Sequence, residues 1–175
     1  MDERLDDRSP WHAECEALYH EHAPRLRRLC RLLLRNPQEA EDITHEVFLK
    51  LVESYRATDR AIAWGRWLTR VAINACRDRQ RAAWWRLWDR TAEEIELVDR
   101  DPTPEAATLT GETRGHIWRA LQQLSQRQRE IFVLRHIEAW PTQEVAEALG
   151  LSTGSVKRHL FRAVASLRKT LGEDS

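Results

Sequence analysis

The sequence predicts an all-α chain: two small helical domains joined by a flexible acidic linker, the C-terminal one with a helix-turn-helix. Three observations predict it. Apolar residues recur at helical spacing along most of the 175 residues, with six glycines and few strand-like alternations. Charge is segregated under a formal net charge of zero: seven Arg against two Asp over Trp64 to Arg90, seven acids against one Arg over Thr91 to Glu112, and ten basic residues against six acids from Thr113 onward. Between Pro141 and Leu167, a short apolar-faced helix, a glycine and a basic helix follow one another.

Taken in order, residues 11–90 read as the first domain. Ala13 to Leu34 has Leu18, Leu26, Leu29 and Leu33 on one side, and Pro24 within it predicts either a kink or two helices. Asn36-Pro37 breaks the run. Gln38 to Tyr55 resumes it with Ile43, Val47, Leu51 and either Val52 or Phe48 facing inward. Asp42 and Glu46 stand four residues apart, with Glu39 and Glu53 nearby, as an acidic strip beside an exposed Phe48 or His45; spacing alone reads this as a solvated face. Ala57 to Ala63 is a loop. Trp64 to Trp88 is a long helix with Trp67, Leu68, Val71, Ile73 and Ala75 partly buried.

That helix interleaves Trp64 and Trp67 with Arg66, Arg70, Arg77, Arg79 and Arg81, and adds Asn74 and Asp78. Single-strand binding needs this combination, because cations follow phosphates while rings stack on unpaired bases. Trp67 reads either as part of that surface or as core. Residues 91–111 form the linker, acidic and containing Pro102 and Pro104.

Residues 112–172 form the second domain. Gln143 to Leu149 is a short helix with Val145, Ala148 and Leu149 on one face. Gly150 suits a left-handed stop and Ser152 an N-cap. In the next helix Val156, Leu160, Ala163, Val164 and Leu167 make one buried stripe. The opposite face carries Gly154, Ser155, Arg158 and Arg162, flanked by Lys157 and His159. From Thr153 to Lys169 there are five cations and no acid, which points to DNA rather than to an ordinary solvated hairpin.

No run approaches the roughly 18 apolar residues of a membrane-spanning helix, and MDERLDDRSP is too acidic for a signal peptide. Cys15, Cys30 and Cys76 lack CxxC spacing and read as reduced, mostly buried thiols of a cytoplasmic protein. His12, Cys15 and His22 share a helical face and could hold zinc, and Asp42-x-x-His45 is half of a di-iron motif whose second copy is missing. No nucleophile triad, phosphate loop or cofactor motif is present, so neither catalytic residues nor cofactors are assigned. A response-regulator DNA-binding half would fit the C-terminal domain, but the first domain lacks βαβ alternation.

EAEDITHEVFLKL (Glu39 to Leu51), WLTRVAINACRDR (Trp67 to Arg79) and the stretch from LSQRQRE (Leu124 to Glu130) through the helix-turn-helix to Arg168 together resemble bacterial sigma factors of the extracytoplasmic-function group, in the sigma-70 family. The resemblance implies a non-enzymatic subunit that binds core RNA polymerase, through its largest and second-largest subunits, and directs promoter-specific initiation. It implies that Glu41, Asp42, His45, Glu46 and Phe48 contact the polymerase. Trp64, Arg66, Trp67, Asn74, Arg77, Asp78 and Arg81 would bind and melt the −10 element. Ser155, Lys157, Arg158, His159 and Arg162 would read the duplex −35 element. An anti-sigma factor would mask the polymerase-binding surfaces, holding a cytoplasmic protein at the inner membrane face without its own insertion. The linker, with Glu93, Glu94, Glu96, Asp99 and Asp101, would thread the RNA-exit path or serve as a solvated tether.

Three departures from the family pattern stand out. Pro141 occupies a usual capping Ser/Thr position, leaving Thr142 to cap. His45 replaces the usual Gln. Trp84, Trp85 and Trp88 form an unusual cluster, read first as a protein interface and second as intradomain contact.

Overall fold

The computed structural model describes residues 10–57, 62–90 and 109–172, and side chains within 11–57, 62–83 and 115–172. Among these there is helix and no strand. The chain divides into two compact units at Gln80/Arg81, inside the long helix.

The first unit holds α1 (Pro10–Leu33), α2 (Pro37–Ala57) and the start of α3 (Trp64–Arg90). α1 runs through Pro24 as one helix rather than two, with Pro24 on its exposed side. A proline inside a helix costs about 3 kcal/mol; fully buried Leu26, Leu29 and Leu34 from the same stretch, at about 1.5–3 kcal/mol each, offset it. Asn36-Pro37 is the start signal of α2. Asn36 Oδ1 accepts from the backbone N–H of Gln38 at 2.9 Å and of Glu39 at 3.4 Å, and proline takes the first helical position, where no N–H is needed.

Ile43, Val47, Phe48 and Leu51 of α2 meet that core, and Leu68, Ala72, Ile73 and Cys76 supply the α3 side. Polar ties fix α3 on α1. Arg25 donates to the Gly65 carbonyl (2.9 Å) and the Thr69 hydroxyl (3.0 Å), and Gln80 donates to the Leu33 carbonyl at 2.8 Å. A Cβ at Gly65 would meet His22 Cε1 at 3.3 Å, so glycine sets this close approach. All three cysteines are free and buried. The Cys76 hydrogen bond holds the Cys30 thiol below its ordinary range, aided by Thr44 and opposed by burial and Glu41.

The second unit holds α4 (Leu109–Gln123), α5 (Gln126–Phe132) running into a π-helical turn (Val133–Ile137), α6 (Thr142–Leu149) and α7 (Thr153–Gly172). Ser125 opens α5 with a capping box: its hydroxyl accepts from the Gln128 N–H at 3.4 Å, while the Gln128 side chain accepts from the Ser125 N–H at 3.1 Å. Arg129, buried on α5, donates to the carbonyls of Leu121, Gln122 and Leu124, each at 3.0 Å. One guanidinium thus closes the C-terminal end of α4, where carbonyls lack helical partners.

After the π-helical turn, Ala139 adopts φ 55, and the Arg135 guanidinium donates to the Trp140 carbonyl. α6 begins without a side-chain cap. Pro141 is the N-cap residue and Thr142 the first helical residue, so the expected Thr142 cap is corrected. Pro141's extended backbone (φ −59, ψ 148) already presents its carbonyl to Val145 N at 3.0 Å. Gly150 is left-handed (φ 63, ψ 41), and Ser152 Oγ accepts from Ser155 N at 3.1 Å, as the sequence predicts. Val145, Ala146 and Leu149 lie buried with Val156, Ala163 and Leu167. Of the expected linker, residues 91–108 lie outside the described residues, and Leu109 already begins α4.

Candidate functional site

Three helical faces carry the residues singled out by sequence. On α2, at about 100° per residue, Glu39, Asp42, Glu46 and Glu53 fall within roughly one sixth of the circumference, so the acidic strip exists as a face. Its members differ in their freedom. Glu46 accepts from Arg79 of α3 at 2.9 Å. Asp42 is exposed and, among the described residues, accepts only from Gln38 of its own helix, at 3.2 Å. Glu41 lies on the other side, where its two oxygens take Arg27 at 2.8 Å and Arg31 at 2.7 Å, both from α1. It therefore ties α2 to α1.

Phe48 needs correction as an exposed aromatic beside the strip. It is only 7 % exposed, its ring edge-on to Tyr19 at 4.7 Å, because the inward stripe of Ile43, Val47 and Leu51 runs through its position. His45 is exposed. The apolar side chain actually standing beside the acids is Leu49, 55 % exposed, which the sequence reading missed. Its signal was an apolar residue displaced by about 100° from the buried stripe.

On α3 the buried residues Leu68, Thr69, Ala72, Ile73 and Cys76 occupy one side. Within roughly a third of the opposite circumference lie Arg66, Trp67, Arg70, Asn74, Arg77 and Asp78, and helical periodicity carries Arg81 to the same side. Arg66, Asn74, Asp78 and Arg81 are exposed; Trp67 and Arg77 are half-buried. Trp64 stacks on Tyr55 at 5.2 Å and meets Trp67 edge-on at 5.4 Å. Trp67 is therefore anchored in an aromatic row at the border of the basic face, between the two roles left open by the sequence. Trp84, Trp85 and Trp88 lie on α3, but their side chains fall outside the described residues.

On α7, Lys157, Arg158 and Arg162 are exposed, Ser155 and His159 half-buried. None of the three cations has an ion-pair or hydrogen-bond partner among the described residues. That differs from α1 and α2, where arginines and acids pair. A Cβ at Gly154 would meet nothing nearer than Ser152 Oγ at 3.9 Å, so nothing within the unit requires glycine at the amino end of this helix. The first-turn amides and the dipole there suit an anion. Phe161, 76 % exposed, stands beside Arg162, and the sequence reading passed it over.

The possible zinc set does not converge. His22 lies against Gly65, His12 stacks on Trp11 at 3.5 Å, and no group of three His, Cys, Asp or Glu side chains among the described residues could hold a metal. Among the described residues, no helix is long and apolar enough to cross a membrane.

The chain matches the family models for Sigma-70 region 2 over residues 18–86 and Sigma-70, region 4 over residues 114–167. The first match contains α2 and most of α3, the second α5 to most of α7. Similar proteins include RNA polymerase sigma factor CarQ of Myxococcus xanthus, 30 % identical over 161 residues and covering 90 % of this chain and 89 % of that protein. The RNA polymerase sigma-E factor of Streptomyces avermitilis is 35 % identical over 152 residues (83 % and 78 %). The ECF RNA polymerase sigma factor SigL of Mycobacterium tuberculosis is 33 % identical over 163 residues (90 % and 88 %). The fold resembles the sigma factor RpoE crystallised with the anti-sigma factor NepR from Bartonella quintana, at TM-score 0.72 and 21 % identity over 93 % of this chain and 99 % of that one. It also resembles CnrH, solved with the cytosolic domain of CnrY, at TM-score 0.66 and 21 % identity over 93 % and 90 %.

Proposed function

The chain belongs to the sigma-70 family of RNA polymerase sigma factors, in its extracytoplasmic-function group, and from that premise we propose how its three faces divide the work of initiation. The acidic strip of α2 docks on the polymerase. Asp42 and His45 are the accessible contacts, and Glu46 joins them by exchanging Arg79 for a cation of the polymerase. Charges of this kind set orientation and encounter rate, while a buried apolar contact supplies affinity; Leu49 is the exposed candidate for that contact. Glu41 and Phe48 support the helix from behind.

The basic face of α3 takes the melted −10 strand. Arg66, Arg77 and Arg81 follow its phosphates, Asn74 and Asp78 reach base edges, and Trp67 offers a ring whose back is fixed by Trp64. The α7 face takes the −35 duplex: Arg158 and Arg162 read base edges, while Ser155, Lys157 and His159 hold the backbone. Residues 11–90 thus serve polymerase and −10 element, residues 112–172 the −35 element, and residues 91–111 connect them. The chain acts as a dissociable initiation factor, and RNA synthesis remains the polymerase's chemistry. It works in the cytoplasm, and an anti-sigma factor holds it inactive, as suggested by the partners named for its structural relatives.

The observation that carries this reading is the α7 face, three exposed cations without a partner among the described residues. Reconstitution with core RNA polymerase tests it: the chain should confer start-site-specific transcription on a subset of genomic fragments. Starts no different from those of core enzyme alone would contradict it.

A further inference from the structure

Phe161 is the most exposed large apolar side chain among the described residues, at 76 %. A phenylalanine in water forgoes the burial of a side chain that covers roughly 150–250 Å². A single exposed apolar residue is ordinary on a protein surface; its surroundings here are not. At about 100° per residue, the buried stripe of Val156, Ala163 and Leu167 faces one way. Arg158 is opposite, with Arg162 and Phe161 on either side of it. Along the helix surface Phe161 is neighboured by Lys157 and Arg158 on the amino-terminal side and by the small Ala165 on the carboxyl-terminal side, and its ring stays exposed among them. It is the large apolar side chain on a face of unpartnered cations that the reading above sets into a major groove.

The major-groove edges of the bases present hydrogen-bonding groups and one methyl, at C5 of thymine. Resting on the −35 assignment, we propose that Phe161 is a specificity-determining residue: its ring contacts a thymine C5 methyl in the upstream element. Arg158 and Arg162 recognise polar edges of neighbouring pairs. The contact adds apolar discrimination that the arginines cannot supply, and it fixes one thymine in the promoter.

The test replaces thymine by uracil, which pairs identically and lacks only the methyl. The chain, bound to core RNA polymerase, selects from duplexes of random sequence prepared once with thymine and once with uracil. Wild type should enrich thymine at one upstream position by about fourfold, the equivalent of one buried methyl at about 0.8 kcal/mol. That preference should vanish in the uracil pool and in Phe161→Ala, and persist in part in Phe161→Leu. Because Phe161 makes little contact with the unit, the variants should keep wild-type circular dichroism. Equal preference in both pools, or thymine preference surviving in Phe161→Ala, overturns the assignment. A wild-type protein that selects no upstream sequence overturns the −35 reading itself, a separate result.

Discussion

Arg129→Ala should unfold much of the C-terminal unit. Arg129 is 4 % exposed, and its guanidinium spans three carbonyls at 3.0 Å. A net hydrogen bond to a charged group contributes about 1.5–3 kcal/mol. The three bonds share one side chain and are not additive, and removal also orphans carbonyls at the end of α4. A loss of roughly 3–5 kcal/mol follows, within the range measured for breaking buried charged networks. At about 0.05–0.15 kcal/mol per residue, a unit of this size has only roughly 3–9 kcal/mol to lose. Urea titration of the full chain, followed by far-ultraviolet circular dichroism, would read the difference. At an m-value of about 1–2 kcal/mol per molar, the unit's midpoint should fall by about 1.5 M or more, or its transition should already be complete without urea. Arg129→Lys should fall between, since a compact ammonium cannot span three carbonyls in a planar fork. Arg119→Ala, on an exposed side chain of α4, should shift stability by less than about 0.5 kcal/mol. An Arg129→Ala loss below about 1 kcal/mol would show that water replaces the guanidinium and would refute the reasoning.

Ala139 holds a left-handed conformation that costs a non-glycine residue about 1–2 kcal/mol, so Ala139→Gly should raise the urea midpoint by the equivalent of about 0.5–1 kcal/mol after glycine's entropic penalty. Ala139→Val should lower it. Asp42→Lys should weaken polymerase binding about tenfold at low salt, with helical content unchanged, because like charges across an interface cost kcal-scale energies; unchanged affinity would remove the α2 docking assignment. Arg158→Ala and Arg162→Ala should each cost about 1–3 kcal/mol on the preferred −35 duplex, measured by competition, and less on mismatched duplexes. An equal loss on every sequence would mark them as phosphate contacts.

The helical stripes of α2 and α7 were legible because each buries one face on its own unit, so periodicity 3.6 records the burial directly; on α3 only Leu68 and Ile73 of the expected positions are buried, while Trp67, Val71 and Ala75 are half-buried and Thr69, Ala72 and Cys76 complete the buried side. The α6–α7 turn was legible through Gly150 and Ser152, whose chemistry is local. What the sequence left open depends on neighbouring helices. Pro24 breaks a helix only if no surrounding burial opposes it, and Leu26, Leu29 and Leu34 do. Glu41 and Glu46 are alike in sequence, yet α1 arginines capture one and Arg79 reaches the other. Phe48 and Leu49 are adjacent, and a turn of about 100° decides which is core. Phe161 was readable in principle as an apolar residue off its stripe. Arg129 reads as one cation among many until α4's carbonyl end is placed beside it.

The most direct test of the central claim is fluorescence anisotropy of the labelled full-length chain titrated with bacterial core RNA polymerase in the absence of DNA. Saturable binding at nanomolar concentrations, competed by another sigma factor and weakened by Asp42→Lys, is the predicted result. A folded chain that shows no saturable binding, or binding that another sigma factor does not compete, would contradict it.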